Sequence, residues 1–198
     1  MRKNWAALAL TGMLCLTTFA GIQTVSAETA DSAKQVDIVF THDTHSHLNT
    51  FTTIVDEAEK EVGGFARINT LIQEQKAKNP DTLVIDGGDF SMGTLIQTVF
   101  ETQAAEIRML GYMGCDVTTL GNHEFDYRSK GLANMLNSAA ESGDNLPALV
   151  VCNVDWESME AAGLSEGQQL IRDAFDEYGV SDYVVLEKGD TDIAVVGV

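Results

Sequence analysis

The sequence predicts a layered α/β domain, and three observations carry that expectation. Short apolar runs of strand length lie at residues 36–40, 82–85, 117–120 and 148–154. Between them, apolar residues recur three or four apart, the spacing of a helix that buries one face. Each of the first three runs ends in residues with metal-ligand chemistry: His42, Asp43 and His45, then Asp86 and Asp89, then Asn122, His123, Glu124 and Asp126. Alternation of strand and helix is the pattern of layered α/β folds. In open sheets of that kind, ligands sit in the crevice beyond the carboxyl ends of the strands.

The first run, 36–40, is continuous rather than alternating, as in a parallel strand covered by helices. A loop over 41–50 and an irregular stretch up to Gly63-Gly64 follow. Phe65, Ile68, Leu71, Ile72 and Gln75 share one face of a helix over 65–78, which Asn79-Pro80-Asp81 stops. After the strand at 82–85, a helix starts near Thr98 or Thr102 and ends at Tyr112 or Met113. Thr98 and Glu101 have capping-box spacing, and Gly114 suits the helix end. After the strand at 117–120, Ser129 is expected to cap a helix with Leu132, Met135, Leu136 and Ala139 inward, ended by Gly143. A strand at 148–154, a helix at 164–178 and paired strands at 183–186 and 193–198 around Lys188-Gly189-Asp190 complete the chain. The last run stops in mid-strand with no cap or polar tail, so the sequence is expected to be a truncated, N-terminal portion. No internal repeat or low-complexity tract interrupts it.

With 198 residues, 44% hydrophobic and 21% charged, the chain suits one domain with a real core. Twelve basic and 30 acidic residues give a net charge of −18, which argues against nucleic acid polymers and anionic membranes as general partners. A phosphate site on such a chain needs local positive charge, and metal ions are one way to supply it. Residues 1–27 are expected to be a signal peptide. Arg2 and Lys3 precede an apolar stretch at 5–20, short for a membrane span of about 20 residues, and Val25-Ser26-Ala27 places small residues at the −3 and −1 positions. The protein is therefore expected to be secreted, periplasmic or at the cell surface after cleavage behind Ala27. Residues 28–35 read as a polar linker, and 36–198 as the domain. Cys15 falls in the leader, and Cys115 and Cys152 are expected as buried small hydrophobes rather than a disulfide framework.

Asp43 and His45 stand two apart in a loop leaving a strand, so both can turn toward one point. Asp89 follows Gly87-Gly88, which let the backbone approach closely. Asn122 ends the third strand. Carboxylate, imidazole and amide oxygen together suit zinc, manganese, iron or nickel rather than a thiolate site. Two metals about 3.5–4 Å apart need a bridging ligand, and Asp89 is the carboxylate expected between the others. A lone Asp-x-His specifies nothing and a lone Gly-Asp is usually a turn. All three signals in order after apolar runs are far more specific.

Asp43-x-His45, Gly88-Asp89 and Gly121-Asn122-His123-Glu124, in that order, resemble the first three signatures of the calcineurin-like metallophosphoesterases. The longer Gly121-Asn122-His123-Glu124-Phe125-Asp126, with Gly63-Gly64-Phe65-Ala66-Arg67 upstream, is similar to the secreted 5′-nucleotidase branch. That branch includes UDP-sugar hydrolases and 2′,3′-cyclic-nucleotide phosphodiesterases. The resemblance spans roughly residues 36–198, and its sharp motifs end at Asp126. It implies the N-terminal portion of an α/β/β/α metallophosphoesterase sandwich, two divalent metal ions, and a nucleotide or related phosphoester as substrate. By the same resemblance Asp43 and His45 hold the first metal, Asp89 bridges, and Asn122 holds the second through its amide oxygen. His123 contacts the phosphoryl group, and Asp126 orients that ring and keeps it protonated. The metals would lower the pKa of bound water and give hydroxide for in-line attack on phosphorus.

Glu124 and Phe125 read as structural, His42 and His47 as loop histidines outside the ligand set, and Arg67 as a helix-surface or packing arginine. The family draws further metal histidines from the second half of its catalytic domain, and its substrate domain holds the nucleotide. This sequence has four histidines, at 42, 45, 47 and 123. Two functional classes result. One is an exported two-metal phosphoesterase that hydrolyses nucleotides to nucleosides and phosphate. The other is a non-catalytic binding protein or fragment on the same scaffold. The intact His123–Asp126 pair favours the first for the parent enzyme, and the missing later histidines favour the second for the 198 residues alone.

Overall fold

Four parallel strands run through the middle of the protein in a computed structural model that describes residues 34–198. They are β1 (Ile38–Thr41), β4 (Leu83–Asp86), β5 (Val117–Thr118) and β6 (Ala148–Leu149), side by side in that order. Outside this sheet stand β2 (Phe51–Val55) and β3 (Ala58–Val62), which pair with each other. Ile38 pairs with Leu83, Ile85 with Val117, and Val117 with Ala148. The carboxyl ends of the four parallel strands therefore lie along one edge, as the alternating sequence requires. The connections carry α1 (Phe65–Lys78), α2 (Phe100–Gln103), α3 (Ala105–Met113) and α4 (Arg128–Ala140). After β6 come α5 (Trp156–Ala162) and α6 (Glu166–Tyr178). The signal peptide expected at 1–27 and most of the linker lie outside the described residues.

The core sits between the sheet and its helices. Phe65 and Ile72 of α1, Ile107 and Leu110 of α3, and Phe175 of α6 meet Val84 and Leu149 of the sheet. Leu132, Met135, Leu136 and Ala139 of α4 are all fully buried, which is the inward face their spacing predicted. Gly114 ends α3 in the left-handed conformation, also as expected.

Several expectations are corrected. β1 is not buried throughout: Val39 packs into the core, while Ile38 and Phe40 are 54% and 59% exposed. It is an edge strand whose other face no described element covers. Leu71 is 64% exposed, so the buried stripe of α1 is narrower than its spacing suggested. The irregular stretch before Gly63 is the antiparallel hairpin of β2 and β3. Its tip, Asp56-Glu57, has positive φ at both residues, 52° and 62°, the pattern of a type I′ turn. The helix placed near Thr98 starts earlier as a 3₁₀ turn, Leu95–Val99, and breaks at Ala104 (φ 47°) between α2 and α3. Thr98 makes no capping box; its hydroxyl donates to the Leu95 carbonyl at 2.8 Å. Thr94 is the cap instead, accepting from the Ile96 N–H at 3.3 Å.

Ser129 lies inside α4, whose cap is Tyr127 with no side-chain bond. The capping box appears at α6, between Ser165 and Gln168, and α5 is an element the sequence did not announce. β5 and β6 are shorter than their apolar runs. The chain leaves the ladder once Thr119 turns its hydroxyl to the Val150 carbonyl at 2.8 Å. The paired strands near the end are β7 (Tyr183–Lys188) and β8 (Thr191–Val196), turning at Gly189 as expected. Cys115 is buried, whereas Cys152 is exposed, and both are free thiols. Arg67 is on the surface, where it pairs with the Glu61 carboxylate at 3.0 Å and donates to the Glu61 carbonyl at 2.7 Å.

Candidate metal centre

Three loops leave the carboxyl ends of β1, β4 and β5, and the first two are bound to each other through their backbones. The N–H groups of Asp43, His45 and Ser46 donate to the carbonyls of Gly88, Asp89 and Phe90 at 3.1, 3.1 and 2.8 Å. This pairing holds the residues in conformations that non-glycine residues avoid: φ is 53° at Asp43, 46° at His45, 54° at Ser46 and 52° at Asp89. Such outliers cost on the order of 1–3 kcal/mol each and gather where function over-determines the backbone. The third loop packs so tightly that a Cβ on Gly121 would overlap the Asp89 carboxylate.

Glu124 is the hub that holds the last two loops. Fully buried, it accepts the N–H groups of Asp89 (3.0 Å), Ser91 (2.9 Å) and Gly121 (2.7 Å) and the Ser91 hydroxyl (2.7 Å). Four donors compensate the buried charge, so its structural role is explained in full. A second buried carboxylate, Glu106 of α3, fixes the first loop. It accepts the Ser46 hydroxyl at 2.7 Å while Thr94 donates to the Ser46 carbonyl at 2.6 Å. Burial pushes the Glu106 carboxyl above its usual range, against the Ser46 bond. Sequence reading missed Glu106 and Ser46. The signals were a serine directly after a candidate ligand and a lone glutamate among apolar residues of a helix.

On this frame, ligand atoms of His45, Asp89 and His123 lie within 4.8 Å of one another. The two rings meet edge to face, 5.1 Å between centroids. Each has its Nδ1 engaged: His45 with the Ser91 carbonyl at 3.2 Å, His123 with the Asp126 carboxylate at 2.7 Å. His45, tied at Nδ1 to a carbonyl, keeps its proton there and turns the Nε2 lone pair outward, as metal-binding histidines do. The bond to Asp126 pushes the His123 imidazole above its usual pKa, with the charges of Asp89, Asp126 and Glu124 adding to it and desolvation opposing it. Asp89 Oδ1 also accepts the His123 N–H at 2.8 Å. The Asn122 amide, oriented to satisfy both of its neighbours, donates to Asp89 Oδ2 and accepts from the His123 N–H, each at 3.2 Å. A cation between Asp89 and Asn122 would reverse that amide and face two oxygens toward it.

Of the six residues expected at the site, five are therefore joined: His45, Asp89 and His123 at its centre, Asn122 on Asp89, and Asp126 on His123. Asp43 stands apart, its exposed carboxylate on His42 Nδ1 at 2.9 Å. His47 is outside the cluster, with Nδ1 3.2 Å from the Thr44 carbonyl and its ring against Phe51. The His45 imidazole, the Asp89 carboxylate and the Asn122 amide make a donor set that fits a borderline divalent cation, with the His123 imidazole beside them.

Residues 36–193 match the family of calcineurin-like phosphoesterases. The chain is 34% identical to a probable 5′-nucleotidase of Treponema pallidum over 107 residues, 52% of this chain and 18% of that one. It is 29% identical to a 5′-nucleotidase-related protein of Glossina morsitans morsitans over 187 residues, 90% of this chain and 32% of that one. The solved 5′-nucleotidase precursor of Thermus thermophilus superposes with a TM-score of 0.61 at 27% identity, covering 82% of this chain and 28% of that one. The chain thus spans about a fifth to a third of the length of these relatives. The matching span, the parallel sheet and the histidine–aspartate cluster at its carboxyl edge agree: the chain belongs to the calcineurin-like phosphoesterase family.

Proposed function

We propose that this chain supplies the N-terminal half of the metal centre of an exported phosphoesterase that hydrolyses nucleotides to nucleosides and phosphate. The observation that carries the reading is the convergence of His45, Asp89 and His123 within 4.8 Å. Asp89 is assigned as the bridge between two cations, His45 and Asp43 as ligands of the first, and Asn122 as a ligand of the second. Asp43 reaches that role by leaving His42, which an exposed side chain can do at little cost. Divalent cations, when bound, supply positive charge against the phosphoryl oxygens and acidify a water molecule.

The chain's own residues do the rest. His123, whose charged form the bond to Asp126 favours, donates from Nε2–H to a phosphoryl oxygen as negative charge gathers there. Asp126 fixes the ring's orientation and favours its charged form. Glu124 and the Ser46–Glu106 pair hold the loops, so that little reorganisation accompanies the reaction. Export rests on Arg2, Lys3, the apolar stretch at 5–20 and Val25-Ser26-Ala27. No helix among the described residues is long and apolar enough to cross a membrane.

The test is phosphate release from a nucleoside monophosphate, with Mn²⁺ or Zn²⁺ present, by this segment carried in a chain as long as its relatives. Asp89→Asn should abolish release together with metal content. His123→Asn should keep the metals and lower kcat by about 10²–10³. The double variant His123→Asn/Asp126→Asn should be little worse, since the two residues act as a unit. Metal loss in His123→Asn, or full additivity in the double variant, contradicts the assigned roles.

A further inference from the structure

Behind the metal centre, two side chains end in buried polar atoms that no neighbour satisfies. Glu106 Oε2 and the Tyr127 hydroxyl have no hydrogen-bond partner among the described residues. Glu106 is fully buried, and its other oxygen, Oε1, accepts the Ser46 hydroxyl at 2.7 Å. Buried polar groups in folded proteins are paired with protein or with bound water, so each orphan needs an explanation. The two are neighbours: of the charges that act on the Tyr127 hydroxyl, that of Glu106 is the largest. Burial first, and that charge second, push the hydroxyl up to about 12, so it keeps its proton and can donate it.

Tyr127 ends the 3₁₀ turn His123–Tyr127, which also carries Asp126. Its ring is stacked on fully buried Phe100 of α2, 3.9 Å between centroids and 16° from parallel. A Cβ on Gly131 would overlap the Tyr127 side chain, so α4 packs against it as well. Next along the chain, Arg128 sits at φ 57°, ψ −179°, a conformation essentially reserved for glycine. Strain of that kind persists only where the surroundings hold the chain firmly, and Tyr127 is the adjoining residue packed into the core. The first and second loops of the site are tied through their backbones, and the second and third through Glu124. Glu106 has one oxygen on the first loop and the other beside the anchor of the third.

Building on the phosphoesterase reading, we propose that one bound water joins Glu106 to Tyr127 in a buried bridge that sets the turn of His123 and Asp126 against the loop of His45. The Tyr127 hydroxyl donates to the water, and the water donates to Glu106 Oε2. Ser46 completes the bridge at Oε1, so the first and third loops are tied to each other through α3. Tyr127 is a positioning residue: it acts through the backbone of the turn that it ends, not on the substrate.

Tyr127→Phe keeps the ring on Phe100 and removes only the hydroxyl. Proton NMR of the 198-residue chain should show a slowly exchanging hydroxyl resonance that is lost in Tyr127→Phe, cross-relaxes with water through space, and moves in Glu106→Gln. No such resonance, or one indifferent to Glu106→Gln, would overturn the bridge. A resonance that moves in Glu106→Gln without cross-relaxation to water would mean direct contact and overturn the bridge in this form. In a chain as long as its relatives, Tyr127→Phe should lower kcat per metal-loaded protein by about tenfold for phosphate release from a nucleoside monophosphate, with KM and metal content unchanged. A smaller metal-loaded fraction with kcat per loaded protein intact would make Tyr127 merely structural, overturning the positioning role and leaving the phosphoesterase reading standing. No phosphate release from the unmutated chain would overturn that reading and the positioning role with it, while the resonance still decides the bridge.

Discussion

Glu124 accepts four hydrogen bonds from three loop positions and is fully buried, which makes it the residue on which the site's geometry turns. Replacing it by glutamine sets an amide NH₂ against backbone N–H groups that have no other acceptor. Hydrogen bonds to a charged group contribute about 1.5–3 kcal/mol each, so Glu124→Gln should lose roughly 3 kcal/mol or more of stability. Urea denaturation checks this, and an unchanged midpoint would mean that the loops hold without it. At this scale the sequence was partly legible. His45, Asp89, Asn122, His123 and Asp126 could be named because strand ends deliver them in order. The engagement of Asp43 with His42 could not be read, because adjacent loop residues pair through backbone conformation that a string of letters does not display. Glu106 was hidden for a different reason: its partner, Ser46, is 60 positions away.

Among the elements, α3 carries two features that a variant can isolate. A Cβ on Gly111 would run into the Asn145 carbonyl, so Gly111→Ala forces helix and loop apart. Overpacking of this kind costs about 1–3 kcal/mol. Circular dichroism melting should show a clear drop, and an unchanged melt would contradict the packing of α3 on that loop. Glu106, on the same helix, gives a pH signature. Its carboxyl is raised by burial above an unfolded value of about 4.3, so ionisation destabilises the fold. That cost is fully present above the folded pKa and disappears as pH falls below the unfolded value. Glu106→Gln, which keeps an acceptor for Ser46, should therefore be more stable than wild type at pH 7, with the gap closing toward pH 4. Denaturation midpoints across that range would read it, and a gap that grows on acidification would contradict it.

The long, periodic elements were readable in advance. α1 and the inward face of α4 follow from apolar spacing alone. The β2–β3 hairpin was not, because Asp56-Glu57 lacks the glycine that normally marks a type I′ turn and β3 is mostly charged. β1 looked buried because its run is continuous, yet only burial on both faces distinguishes a central strand from an apolar edge.

At the scale of the whole molecule, the sheet, its helices and the cluster at its carboxyl edge reproduce a family architecture within a chain about a fifth to a third as long as the relatives it matches. The expected leader predicts that exported protein begins at Glu28, which N-terminal sequencing would show; mature protein that retains Met1 would contradict it. The central claim is that His45 and Asp89 hold a divalent cation beside the His123 ring. Calorimetric titration of the chain with Mn²⁺ or Zn²⁺ tests it most directly. At most one weak site is predicted, lost in His45→Ala and in Asp89→Asn. Two tight sites, or binding indifferent to both substitutions, would contradict the account.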